Sequence, residues 1–482
     1  MDPTAARQHV ETFLQSGLDH PTLGLVYGRR RIGKSTLLEQ LSRERAGFYW
    51  EATRGESAVH LARLAQALGE HLGVGPLSLE SWEDAAHRLL RLGERRPLPV
   101  VLDEFGYLLE ADPTLDSVLA AAFGPGARRL SPGQARVILC GSAIALMRAL
   151  TTGAAPLRGR AGMELVMQPF DYRAAARQLT ADPALELAVR VYAVIGGVIG
   201  YYTDMVDHDL PASLPDFDRW IATRVLSPAA TLHHEAMTLL AEDPTLATAS
   251  PTLHHSVLGA IANGSITAGK IANRLRRSVS NLDPALKRLV AAGFVLRHDD
   301  PIRAQRPTYA LADPFLQFHY AILEPHRSLF RDRSPRDLWV QRLAAAFDSR
   351  VRGPVFEEMA RSWVRRYAAQ TTLGGPAHYV GRSSTTVEGT ERELDLVVAG
   401  ADEAALPPAD RPVLALGEAK AGETVGVSRL RALEQARAAI GPRAGDARIL
   451  LFATAFTAEL SSAAAHRTDI ELVDLERLYH GE

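Results

Sequence analysis

The chain has 482 residues, 46% hydrophobic and 23% charged, with a formal net charge of −2. That length suits about three domains with ordinary globular cores, and the near-neutral balance excludes a uniformly basic protein, so any nucleic-acid surface has to be local. A single cysteine, Cys140, excludes a disulfide framework and a cysteine-based zinc site and fits a reducing cytoplasm.

Residues 1 to 20, with Ala6, Val10, Phe13, Leu14 and Leu18 among polar neighbours, read as one amphipathic helix rather than a secretory signal. The apolar run Leu23 to Tyr27 then leads into Gly28-Arg29-Arg30-Arg31-Ile32-Gly33-Lys34-Ser35-Thr36 and an amphipathic run to Leu41. Strand, G-x-x-x-x-G-K-S loop and helix in this order predict a nucleoside triphosphate site. Gly28 and Gly33 let backbone N–H groups turn toward the phosphates, and the helix beginning near Lys34 offers its positive end to the same anion. Lys34 is expected at the β- and γ-phosphates and the Ser35 hydroxyl on Mg²⁺.

A second strand is expected at Gly47 to Ala52, followed by helices over Ala58 to Leu72 and Trp82 to Leu92. Leu98 to Phe105 is an apolar strand ending in two acids; placed beside the loop strand, Asp103 would hold the metal and Glu104 would polarise water. The strand Arg136 to Ser142 ends in a residue that either senses the γ-phosphate or caps the helix Ala143 to Leu150. Arg158 and Arg160, before the strand Glu164 to Met167, are candidates for a γ-phosphate contact in cis or toward a neighbouring subunit. The latter would imply a homo-oligomer.

Gly-Arg-Arg-Arg-Ile-Gly-Lys-Ser-Thr-Leu, Val-Val-Leu-Asp-Glu-Phe, Cys-Gly-Ser-Ala and Pro-Leu-Arg-Gly-Arg, in this order, resemble the archaeal and bacterial ATPases of the STAND/AAA+ group. The resemblance implies ATP with Mg²⁺, a RecA-like sheet and a helical lid. The chain departs from that family in lacking a Gly-Arg-Glu motif before the first strand and in carrying Gly196-Gly197-Val198-Ile199 where the family has Gly-Gly-x-Pro.

Phe170 to Leu240 reads as mostly helical, the lid, with breaks at Asp182-Pro183 and Pro211 to Pro215. The pairs His233-His234 and His254-His255 lack ligand-spaced partners and read as solvated histidines. Val191 to Tyr202, the longest apolar run at 12 residues, is too short to span a bilayer, so no membrane partner is expected. Helices over His255 to Asn263, Thr267 to Leu275 and Ser280 to Ala292, then strands around Phe294 to Arg297 and Pro307 to Leu311, form a winged-helix pattern. Between Gly264 and Arg306 stand nine Lys/Arg against three acids. Arg276, Arg277, Lys287 and Arg288 are therefore expected either on DNA phosphates or on an internal unit that relays nucleotide state. His326 to Asp337, polar and arginine-rich, reads as a linker.

In the last third, Glu357 lies on a helix, Asp395 lies within the strand Glu391 to Val398, and Glu418-Ala419-Lys420 lies on the next. Residues two apart on a strand share a face, so Glu418 and Lys420 are expected to meet Asp395. Asp395 and Glu418 would ligate Mg²⁺, Lys420 would orient or deprotonate the attacking water, and Glu357 completes the set. This part is similar to the restriction-endonuclease-like PD-(D/E)xK domain that follows the ATPase in the same family. Ala401 to Pro412 is expected to be an exposed loop.

The expected architecture is α/β: a P-loop core at 1–170, a helical lid at 171–248, a winged helix at 249–325 and a nuclease-like domain at 326–482. The function it suggests is an ATPase coupled to DNA and to a metal-dependent nuclease. The alternative is a STAND-type switch with a protein partner, or a DNA-docking ATPase whose nuclease-like domain does not cut.

Overall fold

The computed structural model describes residues 3–124, 126, 133–179, 184–247, 250–400 and 406–482. The expected break at Asp182-Pro183, the boundary at 248/249 and residues 401–405 of the expected loop lie outside these.

Five parallel strands form the first sheet: β1 (Thr22–Tyr27), β2 (Phe48–Glu51), β3 (Leu98–Asp103), β4 (Ala135–Gly141) and β5 (Ala161–Val166), in the order β2-β3-β4-β1-β5. β1, β3 and β4 are buried along their whole lengths, as parallel strands covered on both faces must be. Alternation divides their side chains. Leu23, Leu25, Val100, Leu102, Val137 and Leu139 pack beneath the helices Ser57–Leu72 and Trp82–Arg91. Val26, Val101, Ile138 and Cys140 face the opposite core. β4 stands between β1 and β3, so the strand ending in Asp103 is one strand removed from the loop strand and not its neighbour.

The first helix spans Pro3–Leu14 and ends before Leu18, which is exposed. Its Val10 and Phe13 pack on the sheet, with the Phe13 ring against Gly24 of β1. Helices then dominate from Tyr172 to Leu246, among them Leu185–Ile195, Leu214–Trp220 and Thr231–Glu242. Pro251–Ala262, Ala268–Leu275 (capped by Thr267) and Val279–Ala291 precede an antiparallel ribbon, β6 (Val295–His298) with β7 (Thr308–Leu311). His326 to Asp337 is not extended: short helical turns at Leu329–Arg331 and Pro335–Leu338 bury Phe330 and Leu338. Polar composition concealed two apolar anchors there.

The second sheet is mixed: β8 (Tyr379–Val387), β9 (Thr390–Ala399), β10 (Val413–Val425), β11 (Arg448–Phe456) and β12 (Ile470–Val473), in the order β12-β11-β10-β9-β8. β8, β9 and β10 pair antiparallel; β10, β11 and β12 pair parallel. The helix Gly353–Arg366 covers one face and Val427–Ile440 the other. One continuous core runs from Leu38 behind the loop through Tyr201, Phe315 and Trp339 to Trp363 and Phe452.

Among the described residues, no helix is long and apolar enough to cross a membrane.

Candidate functional site

The loop Gly28–Gly33 leaves β1 at its C-terminal end, and the helix Lys34–Glu44 begins with Gly33 in the left-handed region, φ 88°. A side chain there would be strained, and no side chain caps this helix start. Lys34 is buried and donates from Nζ to the carbonyls of Gly28 (2.9 Å) and Arg29 (2.8 Å). Burial pulls its pKa down, and the nearby Cys140, Glu104 and Asp103 oppose that fall.

Asp103, at the end of β3, accepts from Tyr49 Oη at 2.7 Å and from the Glu104 N–H at 2.7 Å. Ser35 lies near the same hydroxyl and slightly offsets the rise in the Tyr49 pKa. The phenol on β2 thereby stands beside both side chains expected at the metal. Burial, followed by Asp103, raises the Tyr49 pKa strongly, so the phenol remains a proton donor. Glu104 adopts a left-handed backbone, φ 49°. Its carboxylate accepts from Ser142 Oγ at 3.0 Å. Ser142 does not cap the following helix, whose N-cap is Ala143; the serine is turned toward Glu104 instead. Arg158 and Arg160 donate to carbonyls of their own turn, Gly153 (2.8 Å) and Pro156 (3.0 Å).

The three loop arginines carry counter-charges that local sequence did not reveal. Arg29 Nη1 meets Asp313 Oδ2 at 2.9 Å, with side chains 9% and 1% exposed. Arg30 meets Glu242 at 2.7 Å and the Tyr107 hydroxyl at 2.9 Å. Arg31 meets the buried Glu235 at 2.9 Å, and its carbonyl accepts from Gly200 N–H at 2.9 Å. Burial raises the Asp313 carboxyl, and Arg29 opposes that rise. Gly197 sits so close to Phe170 that an added Cβ would lie 1.8 Å from the Phe170 carbonyl oxygen. The Gly196–Ile199 stretch is therefore wedged between the loop and the helical segment, with Ile199 over Gly33.

His233 and His254 are buried, not solvated. His233 Nδ1 is hydrogen-bonded to the Leu226 carbonyl at 2.9 Å. The Phe330 ring, from a later helical turn, packs edge-on against His233 with centroids 5.7 Å apart, a contact that spacing along one helix does not predict.

On the helix–ribbon unit, Arg276, Arg277 and Lys287 are exposed and Arg288 is half-buried. Lys287 pairs with Asp283 at 2.6 Å and Arg288 Nε reaches the Pro284 carbonyl at 3.4 Å. The loop between β6 and β7 faces elsewhere. Ser383 Oγ donates to Asp300 at 2.8 Å, Arg303 reaches Glu391 at 3.4 Å, and Ile302 is buried in the core of the second sheet.

In that second sheet Lys420 Nζ lies 3.1 Å from Asp395 Oδ2 and 3.2 Å from Glu418 Oε1. Arg429, in the first turn of Val427–Ile440, reaches the same Glu418 oxygen at 2.9 Å. Glu357 is engaged by Arg382 and, at 3.8 Å, by Arg361, which also donates to the Asp395 carbonyl at 2.7 Å. Burial and Asp395 raise the Glu357 pKa. Among the described residues no group of three or more His, Cys, Asp or Glu side chains converges in a metal-holding arrangement. Glu357 is thus drawn to guanidinium groups and not into a three-carboxylate set with Asp395 and Glu418. Burial works against the Lys420 ammonium, but Asp395 and Glu418 outweigh it and raise its pKa. Such a lysine orients and neutralises better than it accepts a proton.

Fold and loop together define an α/β protein carrying a Gly-x₄-Gly-Lys-Ser loop after an inner strand of a parallel sheet. No family model matches the chain. It is 24% identical over 344 residues to the uncharacterized protein MJECL04 of Methanocaldococcus jannaschii, covering 70% of this chain and 72% of that protein. Among solved structures, it is similar to the Walker-type ATPase PABY2304 of Pyrococcus abyssi, with 21% identity, a TM-score of 0.48 and coverage of 67% of this chain and 96% of that one. It is similar also to the ORC2 protein of Aeropyrum pernix in its ADPNP–ADP complexes, with 17% identity, a TM-score of 0.39 and coverage of 68% and 92%.

Proposed function

We propose that the chain binds and hydrolyses ATP at the Lys34 loop and couples nucleotide state to DNA. The observation that carries this reading is the gathering of Lys34, Asp103, Glu104 and Ser142 at the C-terminal ends of the parallel strands, with Tyr49 bonded to Asp103 and Ser35 near the same hydroxyl. The donor set fits the ligand. Backbone N–H groups at an uncapped helix start suit phosphate oxygens, and a hydroxyl beside a carboxylate suits Mg²⁺. Gly28 to Thr36 would cradle the phosphates, Ser35 and Asp103 would hold the metal, and Glu104, oriented by Ser142, would accept a proton from the attacking water. Bound Mg²⁺ supplies charge neutralisation and alignment of phosphate oxygens.

Residues 249–325 serve in this reading as a winged helix that meets DNA through Arg276, Arg277, Lys287 and Arg288 on its helical face. The ribbon loop is occupied by the second sheet, so the helices alone provide the contact. The lid is the helical segment up to residue 248, and the nuclease-like domain is 326–482. There Asp395 and Glu418 would hold a metal and Lys420 would orient or help deprotonate the water attacking the phosphodiester. The cation pairs on Asp395, Glu418 and Glu357 favour, as a second reading, a DNA-docking ATPase in which this centre binds without cutting.

The test combines Mg²⁺-dependent ATP turnover with cleavage of plasmid and linear DNA, for the native chain, Lys34→Ala and Asp395→Ala. Turnover abolished by Lys34→Ala and stimulated by DNA supports the coupling. DNA cutting that disappears in Asp395→Ala supports the nuclease; DNA-stimulated turnover without cutting selects the docking ATPase. Turnover that ignores DNA defeats the DNA reading and leaves a nucleotide switch with a protein partner.

A further inference from the structure

A triphosphate differs from a diphosphate by one phosphoryl group, and discriminating the two takes a cation that reaches that group and is free to change partners. The two arginines expected from sequence to do so, Arg158 and Arg160, donate to their own turn. The loop itself supplies three others, and their surroundings differ.

Arg29 is held by the buried Asp313, and its guanidinium lies 5.5 Å from the centre of the Phe294 ring. Arg31 is held by the buried Glu235, with its backbone in the left-handed region at φ 63° and tied to Gly200. Both are locked, since breaking either pair strands a buried carboxylate. Arg30 differs in its partner: its own side chain is 27% exposed against 35% for Arg31, but Glu242, at the end of Thr231–Glu242, is 40% exposed where Glu235 is 3%. An ion pair that open to water is weak and exchangeable. Arg30 also lines one small cleft with Ser142, Glu242 and Phe294. It lies near enough to Lys34 and to Glu104 for its charge to act on both.

We propose that Arg30 is the residue that reads the γ-phosphate, exchanging Glu242 for it, so that the presence of the third phosphate is reported to the last turn of Thr231–Glu242. The inference rests on the nucleotide reading of the Lys34 loop. It assigns the three consecutive arginines two jobs: Arg29 and Arg31 fasten the loop to the helices, and Arg30 distinguishes ATP from ADP. Tyr107, carrying no charge but accepting from Arg30, keeps the guanidinium in the cleft through the exchange.

The experiment measures equilibrium affinity for the non-hydrolysable analogue AMPPNP and for ADP, each with Mg²⁺, in the full chain. Arg30→Ala is expected to weaken AMPPNP by roughly 10- to 100-fold, the size of one charge-assisted hydrogen bond, while ADP changes less than about threefold. Arg30→Lys should restore part of the AMPPNP affinity. Glu242→Gln, which frees Arg30, should leave the preference for AMPPNP intact or increase it. Equal weakening of both nucleotides in Arg30→Ala overturns the proposal in favour of a purely structural tether, as does no weakening of either. Should Arg30→Ala fail to fold, Arg30→Lys and Glu242→Gln decide by the same ratio. Lys34→Ala is the control on the underlying reading: if it leaves both affinities unchanged, the loop is not the nucleotide site and that reading fails first.

Discussion

Replacing Asp313 tests whether the phosphate loop is fastened from outside its own sheet. The Asp313 carboxylate takes Arg29 Nη1 at 2.9 Å, with the two side chains 1% and 9% exposed, and also caps the helix Pro314–Phe318 through the Phe315 N–H at 2.9 Å. Removing one member of a buried pair leaves a desolvated charge and costs about 3–5 kcal/mol. Losing the cap adds about 1 kcal/mol. Asn preserves shape and cap but not charge, so Asp313→Asn should lose about 3–4 kcal/mol and Asp313→Ala about 1 kcal/mol more. Urea unfolding at neutral pH, followed by circular dichroism and by tryptophan fluorescence, measures both losses and checks that the transition is shared. The double variant Arg29→Met, Asp313→Leu removes both charges and should recover much of the deficit. A loss below about 1 kcal/mol in Asp313→Asn, or simple additivity in the double variant, would show the pair to be solvated and refute the argument.

Burial holds the His319 imidazole, from an ordinary 6.5, down to about 3. That corresponds to roughly 5 kcal/mol of preference for the neutral ring. A histidine lowered on folding favours the native state while neutral, so stability is intact above pH 6.5 and declines as pH falls toward 3. His319→Phe should flatten that acid limb in unfolding curves, and an unchanged limb counts against the burial. Tyr49→Phe removes the hydroxyl that donates to Asp103 and should weaken Mg²⁺ dependence of nucleotide binding by roughly 10-fold, with metal-free binding unaffected. Arg277→Ala with Lys287→Ala should lower DNA affinity and reduce the salt slope by about 0.9 for each phosphate no longer neutralised; a slope equal to that of the native chain places the DNA elsewhere.

The parts of this molecule legible in its sequence are those in which a short segment determines its own structure. The apolar runs ending at Tyr27, Asp103 and Gly141 became buried strands, and Thr267 capped the helix it precedes. What escaped depends on partners far along the chain. Asp313 stands 284 residues from Arg29 and Glu235 stands 204 from Arg31, so three adjacent arginines gave no sign of which one remains exchangeable. Strand order is equally nonlocal: nothing in β1 or β3 announces that β4 lies between them. The same holds for Tyr49, whose role arises only because β2 lies beside β3. Lys420, Glu418 and Asp395 were readable from strand alternation and do meet. The cations that occupy Glu357 (Arg361, Arg382) and Glu418 (Arg429) come from a helix, an edge strand and a later helix that no local pattern joins to those carboxylates.

The helix Gly353–Arg366, which carries Glu357, is fixed at both ends to the helical segment that follows the first sheet. At its start Arg352 pairs with Glu186, and at its end Arg366 reaches Asp171 at 3.2 Å while Tyr367 donates to the same carboxylate. Asp171 also caps Tyr172–Ala176 through Ala174 N–H at 2.9 Å. A displacement of that segment would therefore carry the Glu357 helix with it. Asp171→Ala should raise backbone amide exchange in two places at once, residues 172–176 and residues 353–367, because one carboxylate serves both. Hydrogen–deuterium exchange with peptide resolution reads each segment separately. Faster exchange in 172–176 alone would mean the link to Arg366 and Tyr367 carries no mechanical coupling, and any path from the loop to the second sheet would then have to run through other contacts, such as Arg352 with Glu186 or the continuous core.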